Sequence, residues 1–114
     1  ILIEFAQETY YKSIIEGIVR ARKQAPITTT RQLADIVKRA IPGHKVKPGR
    51  HPATKTFQAL RIYVNNELAN IESFLPVAIQ TLNKEGRLVC ITFHSLEDRI
   101  VKQVFVEKQR EGII

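Results

Sequence analysis

The stretch Gly86-Arg87-Leu88-Val89-Cys90-Ile91-Thr92-Phe93-His94-Ser95-Leu96-Glu97-Asp98 decides the fold class of this chain. It opens on a turn, Lys84-Glu85-Gly86-Arg87, and runs into a short apolar segment that includes Val89, Ile91 and Thr92. The length and β-branched content of that segment predict a buried strand over about residues 87–93. Directly after it, Ser95 stands where a helix cap is expected, and Glu97 and Asp98 lie in the first turn, where the helix dipole favours acids. Ile100, Val101, Val104 and Phe105 give the following helix its apolar face. A strand running straight into a capped helix is a piece of an α/β fold. One strand leaves its backbone donors and acceptors without partners, so the rest of a parallel sheet is expected upstream of the 114 residues.

Working back toward the N-terminus, the pattern is helical. Ile14, Ile15, Ile18 and Val19 are spaced as one face of an amphipathic helix over residues 8–24, closed by Pro26. Thr29, with Gln32 three residues on, forms a capping-box pattern at the start of a helix over residues 30–41, whose apolar stripe is Leu33, Ile36, Val37, Ala40 and Ile41. Pro42-Gly43 ends it. Residues 42–53 hold three prolines, two glycines, two histidines and three basic residues, a composition of loops that meet partners. Phe57, Leu60, Val64, Leu68, Ile71 and Leu75 then step by three or four along a long helical pattern. Pro76 interrupts that pattern, giving two helices or one kinked helix ending near Leu82.

Charge is distributed unevenly. The net charge is +7, and residues 36–66 contain seven basic side chains (Lys38, Arg39, Lys45, Lys47, Arg50, Lys55, Arg61) with no Asp or Glu. Such a block attracts a polyanion, most often nucleic acid, or serves as a solubilising surface. Hydrophobic residues at 44% and charged residues at 25% are ordinary for a globular chain. No apolar run approaches the ~20 residues of a membrane span, so no membrane partner is expected. The single cysteine, Cys90, cannot form an internal disulfide and reads as a small hydrophobe in a reducing, cytoplasmic setting. The three histidines and the cysteine lack metal-ligand spacing, so no metal is expected. The chain begins at Ile1, contains no Met and stops at Ile114 without a polar tail, which suggests a piece of a longer protein.

Two stretches carry more than general physics. One is His51-Pro52-Ala53-Thr54-Lys55-Thr56-Phe57-Gln58-Ala59-Leu60-Arg61-Ile62, followed by Val64-Asn65-Asn66-Glu67-Leu68. The other is Gly86-Arg87-Leu88 leading into Phe93-His94-Ser95-Leu96-Glu97-Asp98-Arg99-Ile100-Val101-Lys102. Together they closely resemble the signature segments of the 16S rRNA (cytosine-N4) methyltransferase H, or MraW, family. Ala25-Pro26-Ile27-Thr28-Thr29-Thr30 is similar to that family's helical insert, and the resemblance runs over about residues 5–108. It implies a class I, Rossmann-like methyltransferase with a helical insert. Such an enzyme transfers a methyl group from S-adenosyl-L-methionine to the N4 amine of a decoding-centre cytosine in 16S rRNA of the small ribosomal subunit. In those terms residues 1–50 resemble part of the substrate-recognition insert. Residues 51–114 resemble the C-terminal part of the methyltransferase domain, a mostly helical piece with one or few strands.

Departures from the family pattern are equally informative. Its glycine-rich cofactor loop, its acidic ribose-binding residue and its Asp-Leu-Gly-Val-Ser-Ser motif are absent from this chain. The glycines, at 17, 43, 49, 86 and 112, are too far apart to build such a loop. The cofactor site is therefore expected in the missing N-terminal half, with no cofactor-binding residue here, and this chain alone is expected to be inactive. Lys55 stands where many members have Arg, which keeps the charge but loses a fork.

Cytosine N4 is a poor nucleophile, because its lone pair is delocalised into the ring. Transfer needs the amine placed in line and an acceptor for its proton. Ligands of open α/β sheets bind beyond the carboxyl ends of the strands, where His94 and Ser95 fall. His94 either lines the target-base pocket or ties the strand end to the next helix, and Ser95 is a cap that can also face a site. Lys45, Lys47, Arg50, His51, Lys55 and Arg61 are the candidates for RNA contact. His51-Pro52 can equally be a rigid turn that orients the long helix. The rival reading is a non-catalytic helical RNA-binding module built on helices 8–24 and 30–41. The unpaired sheet edge is also open to pairing with a second copy.

Overall fold

The computed structural model describes residues 1–46 and 48–114. Its elements are α1 (Leu2–Ala6), α2 (Tyr11–Gln24), α3 (Thr30–Ala40), a single 3₁₀ turn (Gly43–Lys45), α4 (Thr54–Asn65), α5 (Glu67–Gln80) and α6 (Ser95–Arg110). They divide into two compact units, Ile1–Tyr63 and Val64–Ile114.

In the first unit, α2 and α3 pack on each other. Gly17 allows their close approach, since a Cβ there would meet Ile36 Cγ2 at 3.1 Å. The core is built from Leu2 and Ala6 of α1, Ile14 of α2, Val37 and Ile41 around α3, and Ala53 and Ala59 around α4. Ile14, Val37, Ala53 and Ala59 lose all solvent contact, and a fully buried aliphatic side chain contributes about 1.5–3 kcal/mol. The Thr29–Gln32 box forms as the sequence predicts. Gln32 N–H donates to Thr29 Oγ1 at 3.2 Å, and Gln32 Oε1 accepts from the N–H groups of Thr29 (3.0 Å) and Thr28 (2.8 Å). Three otherwise unsatisfied donors at a helix start are thereby paired.

In the second unit, α5 packs on α6, burying Leu75, Ile79 and Ile100. Pro76 lies inside α5 and does not end a helix. Its missing N–H leaves the Glu72 carbonyl without that donor, yet the helix continues to Gln80. The break in the long helical pattern falls instead at Asn66, whose left-handed backbone (φ 54°, ψ 36°) no helix accommodates. Asn is among the few residues that adopt this conformation readily. Asn70 Nδ2 donates to the Asn65 carbonyl at 3.1 Å, satisfying an acceptor orphaned at the end of α4.

The strand expected over residues 87–93 is absent. Residues 86–92 carry no regular secondary structure, and no strand occurs among the described residues. The segment nonetheless keeps a period of two. Leu88, Cys90 and Thr92 are half-buried, whereas Val89, Ile91 and Phe93 are 82%, 80% and 89% exposed. Alternation of this kind is the side-chain pattern of a strand. Ladder hydrogen bonds need a neighbour, however, and this chain offers no second extended apolar run. The α/β class is thus not formed within these residues, which make a helical structure.

Candidate functional site

Two groups of polar side chains stand out, one in each unit. In the first unit a cavity of about 170 Å³ is lined by Glu8, Thr9, Tyr10, Ile41, Lys45, Val46, Arg50, His51, Pro52, Thr54 and Lys55. Four of the residues predicted to meet RNA are therefore brought together: Lys45, Arg50, His51 and Lys55. Lys45, Arg50 and His51 are exposed and Lys55 is half-buried. Arg61, also exposed, is not among the lining residues, and Lys47 lies outside the described residues.

Local chemistry explains how these side chains are held. His51 Nδ1 accepts the Ala53 N–H at 3.1 Å, and the His51 carbonyl accepts Thr54 Oγ1–H (2.8 Å) and Thr54 N–H (3.1 Å). His51-Pro52 is thus a turn that sets the start of α4. Because Nδ1 is an acceptor, the neutral ring carries its proton on Nε2. Lys55 Nζ reaches across 48 positions to donate to the Gln7 carbonyl at 3.2 Å. Two of its three donors remain for other partners.

The second group surrounds the start of α6. Here the cap is His94 and not Ser95, which is the exposed first residue of the helix. His94 Nδ1 accepts the Glu97 N–H at 3.4 Å, and Glu97 Oε2 accepts the Phe93 N–H at 2.9 Å. Imidazole takes the place of a hydroxyl at the cap, and the return bond from Glu97 goes to the residue before the cap. His94 Nε2 sits 3.4 Å from Glu97 Oε1, out of hydrogen-bonding alignment, and is buried without a partner. The His94 and Glu97 side chains are 12% and 16% exposed. Glu67 completes a set of three groups whose ligand atoms lie within 4.8 Å of one another. That spacing suits a cation, but the capping bond leaves the proton on Nε2, which then has no lone pair to give.

A family model described as the MraW methylase family matches residues 1–114. The chain belongs to that family. Its relatives carry the name ribosomal RNA small subunit methyltransferase H. One from Pelobacter propionicus is 55% identical over 107 residues, covering 94% of this chain and 34% of the relative. One from Pseudoalteromonas atlantica is 50% identical over 114 residues, 99% of this chain and 35% of the relative. One from Acidithiobacillus ferrooxidans is 49% identical over 105 residues, 92% and 32% respectively. The chain thus spans about a third of the length of the curated relatives it matches.

Within this MraW chain, two features were not legible in the sequence. Glu8 was read only as the first residue of a helical pattern, yet it is buried, 6% exposed, in the cavity wall. Glu67 joins His94 and Glu97 only because α5 packs on α6. No spacing signal connects either residue to its neighbours in space.

Proposed function

We propose that this chain is the C-terminal part of an enzyme that methylates the N4 amine of a decoding-centre cytosine in 16S rRNA, with S-adenosyl-L-methionine as donor. The observation that carries this reading is the segment Val89, Ile91 and Phe93, 80–89% exposed in strand-like alternation, in a chain of the MraW methylase family. Such a segment suits a central strand of a Rossmann-like sheet whose other strands lie in the remaining two-thirds of the protein. Residues 1–50 act as part of the helical insert that recognises substrate, and residues 51–114 return to the methyltransferase domain.

The residues present do not fit the methyl donor. Gly43, Gly49 and Gly112 face open space, Gly17 faces Ile36, and a Cβ on Gly86 would meet the Asn83 carbonyl oxygen at 2.8 Å. None of them forms a cradle, so the donor is held elsewhere in the enzyme. This chain contributes RNA contact through Lys45, Lys47, Arg50, His51, Lys55 and Arg61. His94 and Ser95 line the pocket for the target base, where the buried, partnerless Nε2–H offers a donor. The enzyme acts in the cytoplasm on the small ribosomal subunit. No described helix is long and apolar enough to cross a membrane. When the 114 residues are alone, the edge at residues 88–93 pairs with a second copy.

Transfer of a labelled methyl group to 16S rRNA tests the reading. The full-length enzyme is expected to label cytosine N4, and the 114-residue chain is expected to bind RNA without labelling it. Label on another base, or labelling by the chain alone, overturns the proposal. If the full-length enzyme binds RNA and labels nothing, the non-catalytic RNA-binding alternative takes its place.

A further inference from the structure

We propose that Glu67, His94 and Glu97 of the second unit form a binding site for one divalent transition-metal ion of the zinc kind. The inference goes beyond the reading of His94 as a base-pocket donor and does not depend on it. Geometry is the first argument. The ligand atoms of the three side chains lie within 4.8 Å of one another, and His94 Nε2 stands 3.4 Å from Glu97 Oε1. Ligands at about 2.1 Å from a tetrahedral zinc ion stand about 3.4 Å apart, so that pair is already spaced to share one. Glu67 completes the set by a small side-chain adjustment. Among the described residues no other three potential ligands approach so closely.

Chemistry is the second. His94 Nε2 is buried without a hydrogen-bond partner, where buried polar atoms ordinarily have one. Glu97 is pinned from one side, since Oε2 accepts the Phe93 N–H at 2.9 Å, and Oε1 is left beside the ring nitrogen. Glu67 is half-buried at the start of α5. One imidazole and two carboxylates suit zinc or manganese, whereas magnesium takes oxygen ligands. The two carboxylates match the charge of the ion locally, although the chain as a whole carries +7 and repels cations.

Binding the ion moves a proton. In the free chain the bond from Glu97 N–H to Nδ1 keeps the ring proton on Nε2. At 3.4 Å that bond is long against a usual ~3.0 Å and therefore weak. The ion takes the Nε2 lone pair, the ring proton passes through water to Nδ1, and the cap bond breaks. Losing the cap lowers the affinity about 2- to 30-fold but leaves three protein ligands in place. The ion and the cap are thus alternatives, and the ion and a base compete for the same nitrogen.

The test is long-range proton–nitrogen NMR of the histidine rings in the 114-residue chain, without RNA, during titration with zinc chloride. One equivalent of zinc is expected to switch His94 from the Nε2–H to the Nδ1–H tautomer and to move the Glu97 amide. Magnesium chloride at the same concentrations should change neither. Glu67→Gln should weaken zinc binding at least about 10-fold while leaving the zinc-free tautomer of His94 as it was. Zinc that alters His44 or His51 and leaves the His94 tautomer unchanged overturns the inference. So does magnesium binding as tightly as zinc, because the imidazole would then not be a ligand. Zinc affinity within about twofold in Glu67→Gln removes Glu67 from the site and overturns the three-ligand set. The first two results are read on the unaltered chain, so they decide the matter even if Glu67→Gln does not fold. Refutation leaves the base-pocket reading of His94 standing, since no RNA is present.

Discussion

Removing the two exposed cations of the first-unit cavity should change how salt weakens RNA binding. Lys45, Arg50 and Lys55 line one cavity, so three phosphate contacts are within reach of one strand. Each neutralised phosphate of a single strand contributes about −0.7 to the slope of log affinity against log salt. The three together contribute about −2.1 to the slope, a factor of about 20 in affinity when potassium chloride rises from about 50 to 200 mM. In the double variant Lys45→Ala/Arg50→Ala only Lys55 of the three remains, so the slope should become shallower by about 1.4 and the cavity's share of the loss should fall to about 2.6-fold. Fluorescence anisotropy of a labelled single-stranded RNA across that salt range reads both slopes. Both side chains are exposed, so the variant should fold with stability within about 0.5 kcal/mol of the parent. A variant slope within 0.5 of the parent's refutes the assignment of these cations to phosphate contact.

Three further outcomes follow from local geometry. Thr56 is 1% exposed and its Oγ1 is buried without a hydrogen-bond partner; Thr56→Val should raise unfolding stability by about 1 kcal/mol, and a loss in a urea melt would mean the hydroxyl has a partner. Thr29→Ala removes the acceptor for Gln32 N–H and should cost about 1 kcal/mol, within a range of about 0.5–2; a change below about 0.3 would remove the box from the account of α3. Ile91 is 80% exposed on the apolar edge, so Ile91→Lys should shift sedimentation of the 114-residue chain toward monomer. An unaltered chain that already sediments as monomer ends the pairing proposal.

The elements that formed as read are those whose causes are local. The capping box at Thr29 and Gln32 needs only four residues, and both of its bonds are present. The apolar stripes of α2 and α3 meet because helical periodicity places them on facing sides. At α6 the reading was one residue out. Ser95 has the better intrinsic capping propensity, yet His94 takes the position because its ring nitrogen reaches Glu97 N–H while Glu97 reaches back to Phe93. At Asn66 and Pro76 the more conspicuous breaker was the wrong one, because a proline removes one bond whereas a left-handed residue turns the chain.

The sequence by itself determined the family, the helical segments, the basic block and the short apolar run of residues 88–93, since all of these are written in order and spacing along the chain. Tertiary structure alone decided that this run would alternate in burial without becoming a strand, because a ladder depends on backbone partners that local propensity does not supply. It alone placed a buried Glu8 beside Arg50, His51 and Lys55, residues more than forty positions away. Burial and donor–acceptor pairing are properties of neighbours in space, and those neighbours exist only once α1, the loop before α4 and α4 itself have packed on one core.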